Sequence, residues 1–219
     1  MSVITTPVVV IGAGGFADEL VDYLQILPSA RLVGICDDYL TGNLPKRVRG
    51  IPFLGTFDAA ASAYPEASFV VAAGLPAFRE ETCEHVLSSG RNLYTLVHPT
   101  AIIAPDAEVS PGCIVAPYSI VNSGAILGQG CVLNIFCSVA HGAQLGPYTV
   151  LSPYSAINGW GKTGRACFLG TRATIFPKVK IGDRCKIDSH SYAKVDAEDR
   201  MIITNRGEYR VLKNRLEKN

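Results

Sequence analysis

Residues 125–145 read AILGQGCVLNIFCSVAHGAQL, with an aliphatic residue at every sixth position from Leu127. The same period runs from Ile103 to Ile187, where only Thr163 interrupts the aliphatic column. Two residues before most aliphatic positions stands a small side chain. A period of six fits neither an α-helix nor an alternating strand, and it is typical of a parallel β-helix with short strands and tight turns.

Three hexapeptides close one triangular coil in such a β-helix. Coils stack at the strand spacing of about 4.8 Å, so residues three hexapeptides apart are expected to lie one above the other. The repeats predict about five coils, and a solenoid of this kind needs caps at both ends. The alternative, an antiparallel sandwich of short strands, predicts a period of two.

The first 96 residues follow another pattern, in which short apolar runs at 8–11, 32–36 and 69–73 are separated by segments that include helical spacing. This βαβαβ order predicts a small parallel sheet with helices on its faces. We therefore predict an α/β, Rossmann-like domain at residues 1–96, an all-β parallel β-helix at residues 97–196 and a C-terminal cap or tail at residues 197–219.

The turn after the first apolar run is rich in glycine and comprises Gly12, Ala13, Gly14, Gly15 and Phe16. It matches the dinucleotide fingerprint G-x-G-x-x-G/A, with Asp37 at the expected distance, but one βαβαβ unit is only half of a dinucleotide fold, which argues against an NAD-dependent oxidoreductase. Backbone N–H groups at such a turn can bind phosphate, and Asp37 or Asp38 can accept hydrogen bonds from a ribose or base. The alternative is that the glycines form only a tight turn and the aspartates cap a helix.

The composition, with 48% hydrophobic and 18% charged residues, fits a well-packed protein without a membrane span. A net charge of +1 provides no general attraction to nucleic acid. The apolar N-terminal stretch has no basic segment before it, so we expect a cytoplasmic protein. Five of the seven cysteines fall in the small inward column, and neither disulfides nor a metal site are expected.

From residue 7 to about residue 195 the chain resembles the NeuD/PglD-like acyltransferases of bacterial surface-sugar biosynthesis. The resemblance is carried by VVVIGAGGFADEL, LVGICDD, GIPFLGTFD, FVVAAGLPAFRE and TLVHPTAIIAPDA, followed by the hexapeptide repeats. It implies a left-handed β-helix and transfer of an acetyl group from acetyl-CoA to the amine of a nucleotide-linked amino sugar. It also implies that the glycine-rich turn with Asp37 and Asp38 holds the nucleotide sugar, and that the protein is a homotrimer with active sites between β-helices.

His141 has the position expected of a general base. It lies two residues past the inward Val139, so the register places it near a turn and facing outward. It follows Asn134 by seven residues, the spacing of the family's catalytic histidine. An imidazole titrates near neutral pH and can take the proton that an attacking amine loses. Gly159, three hexapeptides further on, is expected one coil above, where its N–H can stabilise an oxyanion. By the resemblance we assign Gly159 and Asn134 to the acyl-CoA site.

Gly142 stands where the family commonly has a carboxylate that orients the imidazole. Ser123 and Asn134 are candidates to replace it. Two alternatives stay open: O-acetylation of a sialic-acid-like sugar, and a nucleotide-sugar-binding homologue without catalysis. Beyond the repeats, the tail is expected to cap the solenoid and, as a secondary hypothesis, to meet CoA phosphates through Arg206, Arg210, Lys213 and Arg215.

Overall fold

The computed structural model describes residues 5–40 and 47–205. They form the predicted α/β domain followed by a parallel β-helix. Among these residues, no helix has the length and apolar character that a membrane crossing requires.

The α/β domain contains a four-stranded parallel sheet with the order β2-β1-β5-β6. Its elements are β1 (Thr6–Ile11), α1 (Gly15–Gln25), β2 (Ala30–Cys36), β3 (Arg47–Val48), β4 (Ile51–Pro52), α2 (Phe57–Ala63), β5 (Ser68–Val71), α3 (Pro76–Ser88) and β6 (Asn92–Leu93). The three apolar runs form β1, β2 and β5, as predicted. The sequence pattern missed α2, which begins after Thr56, whose hydroxyl accepts a hydrogen bond from the Ala59 N–H at 3.3 Å.

The β-helix is built from two-residue strands, and partners in neighbouring coils are three hexapeptides apart, as the pairing of Val132–Leu133 with Val150–Leu151 shows. The strands form three faces. Face 1 contains Leu96–Val97, Ile114–Val115, Val132–Leu133, Val150–Leu151, Phe168–Leu169, Lys186–Ile187 and Ile202–Ile203. Face 2 contains Ile102–Ile103, Ile120–Val121, Ser138–Val139, Ala156–Ile157, Thr174–Ile175 and Tyr192–Ala193. Face 3 contains Glu108–Val109, Ile126–Leu127, Gln144–Leu145, Lys162–Thr163 and Lys180–Ile181.

The solenoid is about one coil longer than the five that the repeats predict, because its faces hold seven, six and five strands. Its last coil is also two residues short. Ile187 pairs with Ile203 and Ile181 with Ala197, so the partners in each pair are closer in sequence than three full hexapeptides. A period of six therefore does not reveal this coil.

The second residue of most strands points into the solenoid and is buried among aliphatic side chains and cysteines. All seven cysteines of the chain are free, buried thiols. Thr163, the exception in the aliphatic column, is buried too, and its hydroxyl accepts a hydrogen bond from the Gly146 N–H at 3.2 Å. That bond satisfies the polar atom and lets a threonine occupy a core position.

The two domains share a second apolar core. The outward residues Ile114, Val132 and Val150 of face 1 are buried in one cluster with Leu20 and Leu24 of α1. Face 1 therefore carries apolar side chains on both of its sides. This packing holds the α/β domain against the solenoid.

Arg79 of α3 reinforces this junction and is fully buried. Its guanidinium donates hydrogen bonds to three backbone carbonyls: Val71 of β5 at 2.6 Å, Gly112 at 2.8 Å, and Gly130. Gly112 and Gly130 lie in turns of the solenoid between faces 3 and 1. Burial lowers the pKa of the Arg79 side chain.

Candidate functional site

A cleft of about 660 Å³ lies where β1, β2 and β5 end. In the sheet, β2 lies next to β1 on one edge and β5 lies next to β1 on the other. The strand order therefore reverses at β1, and the cleft lies at this topological switch point. Ligands of open α/β sheets bind at this place, and the volume is in the range of small-molecule sites. Among the residues predicted to bind a nucleotide, those that line it are Gly12, Ala13, Gly14, Asp37 and Asp38.

In the glycine-rich turn, Gly12 is closely packed, whereas Gly14 and Gly15 border open space. Gly12 has a φ of +110°, and a Cβ there would lie 3.3 Å from the Ala72 Cβ, so glycine is required. Around Gly14 and Gly15 nothing lies within 4 Å of an added Cβ. Helix α1 begins here, and its first N–H groups lack partners within the helix, which suits an anionic ligand.

Gly15 and Phe16 are not among the residues that line the cleft. Gly15 opens α1, and the Phe16 ring packs at the edge of the core shared by the two domains.

Both aspartates hold the local backbone in place. Asp37 Oδ2 accepts a hydrogen bond from the Ala13 N–H at 2.8 Å and thereby fixes the glycine-rich turn, while Oδ1 accepts from the Tyr39 N–H at 2.8 Å. Asp38 Oδ1 accepts from the N–H of Phe57, the first residue of α2, at 2.9 Å. Asp38 therefore has the helix-capping role that was the alternative for these residues. Each carboxylate also borders the cleft and keeps acceptor capacity for a ligand.

The other wall of the cleft was not predicted from the sequence. This wall is the face of α3 formed by Phe78, Glu81, Thr82 and His85. Their spacing of three, four and seven residues places them on one side of a helix, which is the signal that could have found them. Among the described lining residues there is no lysine or arginine, so a bound phosphate would rely on backbone N–H groups and the α1 N-terminus.

His141 lies at the corner between faces 2 and 3, and its side chain is exposed. Gly159 lies one coil above it, as the spacing of three hexapeptides predicts. A Cβ on Gly159 would come 2.5 Å from His141 Nε2, so only glycine leaves room for the imidazole. The Gly159 N–H makes no hydrogen bond to any described residue.

Trp160 is a neighbour of His141 that the sequence analysis did not identify. The two rings meet edge to face, with centroids 5.9 Å apart and an interplanar angle of 79°. The backbone N–H of Trp160 donates a hydrogen bond to the backbone carbonyl of His141 at 3.0 Å. The Trp160 ring also fills the space above Gly142, where an added Cβ would overlap it. The same spacing of three hexapeptides pairs residue 142 with residue 160, and it could have indicated this contact.

Asn134 and Ser123 were the candidates to orient the imidazole. Asn134 lies at a different corner, between faces 1 and 2, where its Oδ1 accepts from the Ile135 N–H at 2.9 Å. The Ser123 hydroxyl donates to Asp106 Oδ2 at 2.7 Å. Within residues 5–40 and 47–205, neither side chain is hydrogen-bonded to His141.

The described part of the chain contains no cluster of three or more His, Cys, Asp or Glu side chains that could hold a metal ion. The tail cations proposed to meet CoA phosphates lie outside the described residues; they are Arg206, Arg210, Lys213 and Arg215.

Comparisons with known proteins match both domains. The family model described as the PglD N-terminal domain matches residues 7–86. A mutant of perosamine N-acetyltransferase from Caulobacter crescentus, solved with CoA and GDP-perosamine, is 25% identical over 90% of this chain and 92% of that one, with a TM-score of 0.81. The acetyltransferase domain of PglB from Neisseria gonorrhoeae, solved with acetyl coenzyme A, is 26% identical over 90% and 95%, with a TM-score of 0.82.

The resemblance to the NeuD/PglD-like family is confirmed by the family model over residues 7–86, and the solved structures extend the likeness to the β-helix. WeeI from Acinetobacter baumannii, 21% identical over 92% of this chain and 98% of that one, shares the fold with a TM-score of 0.81. No curated protein matches the sequence.

Salt bridges join the cleft-forming helix α3 to the solenoid. Glu80 Oε2 pairs with Arg184 Nη1 at 2.7 Å, and Glu80 also pairs with Arg165. Glu84 pairs with Arg165 at 2.9 Å and accepts a hydrogen bond from the Tyr148 hydroxyl at 2.7 Å. Burial alone would raise the pKa of the Glu80 carboxyl, but the hydrogen bonds from Arg165 and Arg184 outweigh it and hold that pKa below its ordinary value.

Proposed function

We propose that this NeuD/PglD-like protein transfers an acetyl group from acetyl-CoA to the amine of a nucleotide-linked amino sugar, for bacterial glycan biosynthesis. The observation that carries the proposal is the placement of the exposed His141 against Gly159, whose N–H makes no hydrogen bond within the described residues, in a chain that also holds a cleft at the switch point of its sheet. The similar Caulobacter protein was solved with CoA and GDP-perosamine, a nucleotide-linked sugar.

The cleft binds the nucleotide part of the acceptor. The N–H groups of the glycine-rich turn and the N-terminus of α1 take the diphosphate. Asp37 and Asp38 accept hydrogen bonds from the ribose or base, because their carboxylates border the cleft.

His141 is the general base of the reaction. As the amine nitrogen attacks the thioester carbonyl carbon, a C–N bond forms and the imidazole takes the proton that the nitrogen loses. The Gly159 N–H donates a hydrogen bond to the carbonyl oxygen while negative charge develops on it. The C–S bond then breaks, and the proton passes from the imidazole to the departing sulfur.

The protein acts as a homotrimer through face 2. The outward residues of face 2 carry no charge among the described residues; they are Ile102, Ile120, Ser138, Ala156, Thr174 and Tyr192. Face 3 presents Glu108, Lys162 and Lys180 instead. An uncharged, partly apolar face fits burial against other copies.

The corner between faces 1 and 2 adds a column of exposed, stacked rings. Tyr118 and Phe136 have centroids 5.0 Å apart, and Phe136 and Tyr154 have centroids 4.9 Å apart. Between 43% and 57% of each residue is exposed, a large apolar area for an isolated subunit.

The trimer also gives Asn134 a role. If face 2 of each subunit turns toward a three-fold axis, the corner that carries His141 meets the neighbour's corner that carries Asn134. The two residues that one chain keeps at different corners then share one active site between subunits.

The protein is placed in the cytoplasm, where acetyl-CoA is available. Its seven free thiols fit a reducing compartment.

The activity is tested by thiol release from acetyl-CoA with a panel of nucleotide-linked amino sugars, with His141→Ala as the comparison. We expect turnover with one sugar and a loss of kcat of about 10² or more in His141→Ala. A product that retains its free amine would mean O-acetylation. Sugar-nucleotide binding without thiol release, in folded protein, would instead support a binding protein without catalysis.

The assembly is tested by Ile120→Glu on face 2, with Ile126→Glu on face 3 as its matched control. Both isoleucines are half-buried outward residues one hexapeptide apart. Sedimentation equilibrium should show dissociation only for Ile120→Glu. A monomeric wild type, or equal effects of the two substitutions, would contradict this interface.

A further inference from the structure

The rings of His141 and Trp160 each pack against a glycine of the neighbouring coil. One coil carries His141 followed by Gly142, and the coil above carries Gly159 followed by Trp160. The imidazole occupies the space above its own coil that a Gly159 side chain would take, and the indole occupies the space that a Gly142 side chain would take. Each ring therefore needs the glycine of the other coil, and the four residues form one interlocked unit.

Trp160 stands at a turn position with a φ of +63°. Several turns of this solenoid hold a non-glycine residue at such a φ, Tyr118, Phe136 and Tyr154 among them. The same turn position holds Gly124 and Gly142 in the coils below, both with a φ of +64°. Trp160 is 55% exposed, so a little less than half of its surface is buried by the fold. Its close edge-to-face contact is with the imidazole of His141.

We propose that Trp160 is a positioning residue for His141 and does by ring contact what a carboxylate at residue 142 would do by a hydrogen bond. The inference rests on the proposed function, in which His141 is the base. The indole edge-to-face contact restricts rotation of the imidazole and keeps it over Gly159, next to the N–H that stabilises the oxyanion. Gly142 has a φ of +64° and leaves its side-chain space to the indole.

Three variants test this role. Trp160→Ala should lower kcat about tenfold or more while the KM values of both substrates change less than about twofold, since only the base loses its position. Trp160→Phe keeps an aromatic contact and should retain most of kcat. Lys178→Ala removes a side chain from the same turn position one coil further on and serves as the control for changes at this corner.

The double variant Gly142→Glu with Trp160→Gly exchanges the ring contact for a carboxylate. It should recover most of the kcat that Trp160→Ala loses. It should also move the acidic limb of the kcat–pH profile to higher pH, because a neighbouring carboxylate favours the protonated imidazole. Gly142→Glu alone should be impaired, since the indole fills the space of the new side chain.

An unchanged kcat in Trp160→Ala would overturn the proposal, as would a fall in kcat matched by equal losses in Trp160→Phe and no recovery in the double variant. The ring contact is followed separately by NMR, using the Cε1–H signal of His141 assigned with His141→Gln. Loss of the indole should shift that signal, and no shift would overturn the contact even if the wild type acetylates no sugar. Inactivity of the wild type with the shift present would remove the proposed function instead.

Discussion

Replacement of Arg79 by methionine should strongly weaken the junction between the two domains. The guanidinium is fully buried and donates to three backbone carbonyls, two of them in the solenoid. Hydrogen bonds from charged donors contribute about 1.5–3 kcal/mol each. The loss of these hydrogen bonds is partly offset, because the folded variant no longer buries an ion, whose desolvation costs several kcal/mol. We therefore expect a net loss of about 3–5 kcal/mol in the free energy of unfolding, because three buried carbonyls are left without a donor at about 1–3 kcal/mol each.

Arg184→Met is the matched control at the same interface. Arg184 pairs with Glu80, but its side chain is 44% exposed. Exposed ion pairs contribute about 1 kcal/mol or less, so this variant should change little.

Equilibrium urea unfolding measures both variants with two probes. Trp160 is the only tryptophan of the chain, so its fluorescence reports on the solenoid, while circular dichroism at 222 nm reports mainly on the helices of the α/β domain. In Arg79→Met we expect the circular dichroism transition to move below the fluorescence transition, because the α/β domain loses its anchor first. Equal losses in Arg79→Met and Arg184→Met would refute the reasoning.

Three further predictions concern the base, the interface and the thiols. Gly159→Ala should lower kcat about 10²-fold with little change in Tm, because the new methyl displaces the His141 ring while the backbone at Gly159 has no positive φ; steady-state kinetics beside thermal melts check this. Glu80→Gln should be less stable than the wild type at pH 7, and the difference should shrink as the pH falls below about 4.5, since a carboxyl with a lowered pKa stabilises the fold only while it is ionised; a gap in Tm that is constant with pH would contradict this. Burial raises the pKa of the Cys36 thiol to about 12, and the other six cysteines are buried as well. A thiol reagent should therefore modify none of the seven cysteines rapidly in native protein and all seven after denaturation.

The sequence could predict the parts of this fold that repeat or that follow local rules. The period of six gives the solenoid and the spacing between stacked residues, and that spacing correctly places Gly159 above His141. The last coil was not predicted, because it is two residues shorter than three hexapeptides. Helix α2 was not predicted either, because its seven residues, FDAAASA, are too few to show a helical period.

Arg79 could not be predicted, for a different reason. A charged residue in a helix is expected on the surface, and its partners here are backbone carbonyls of Gly112 and Gly130, 33 and 51 residues away. Every residue has a backbone carbonyl, so the sequence does not show which carbonyls accept hydrogen bonds from a side chain. The residues near Arg79 in sequence therefore do not distinguish it from a solvent-exposed arginine. Trp160 is an intermediate case, because its spacing from Gly142 was visible but its contact with the imidazole depends on how both rings turn.

Helix α3 links the cleft to the solenoid because two of its sides make contacts, one at the cleft and one at the solenoid. Phe78 and Glu81 border the cleft, while the intervening Arg79 and Glu80 bind the solenoid. Such a helix has no single apolar face, since both sides carry polar contacts. Under the proposed function, a nucleotide bound between α3 and the glycine-rich turn is consequently held at a fixed position relative to the coils of its own chain. Orientation of this kind is a large part of what an enzyme without a covalent intermediate has to provide, because the amine and the thioester must meet in one geometry. A chain that loosened α3 would therefore lose kcat for the transfer even with His141 and Gly159 intact.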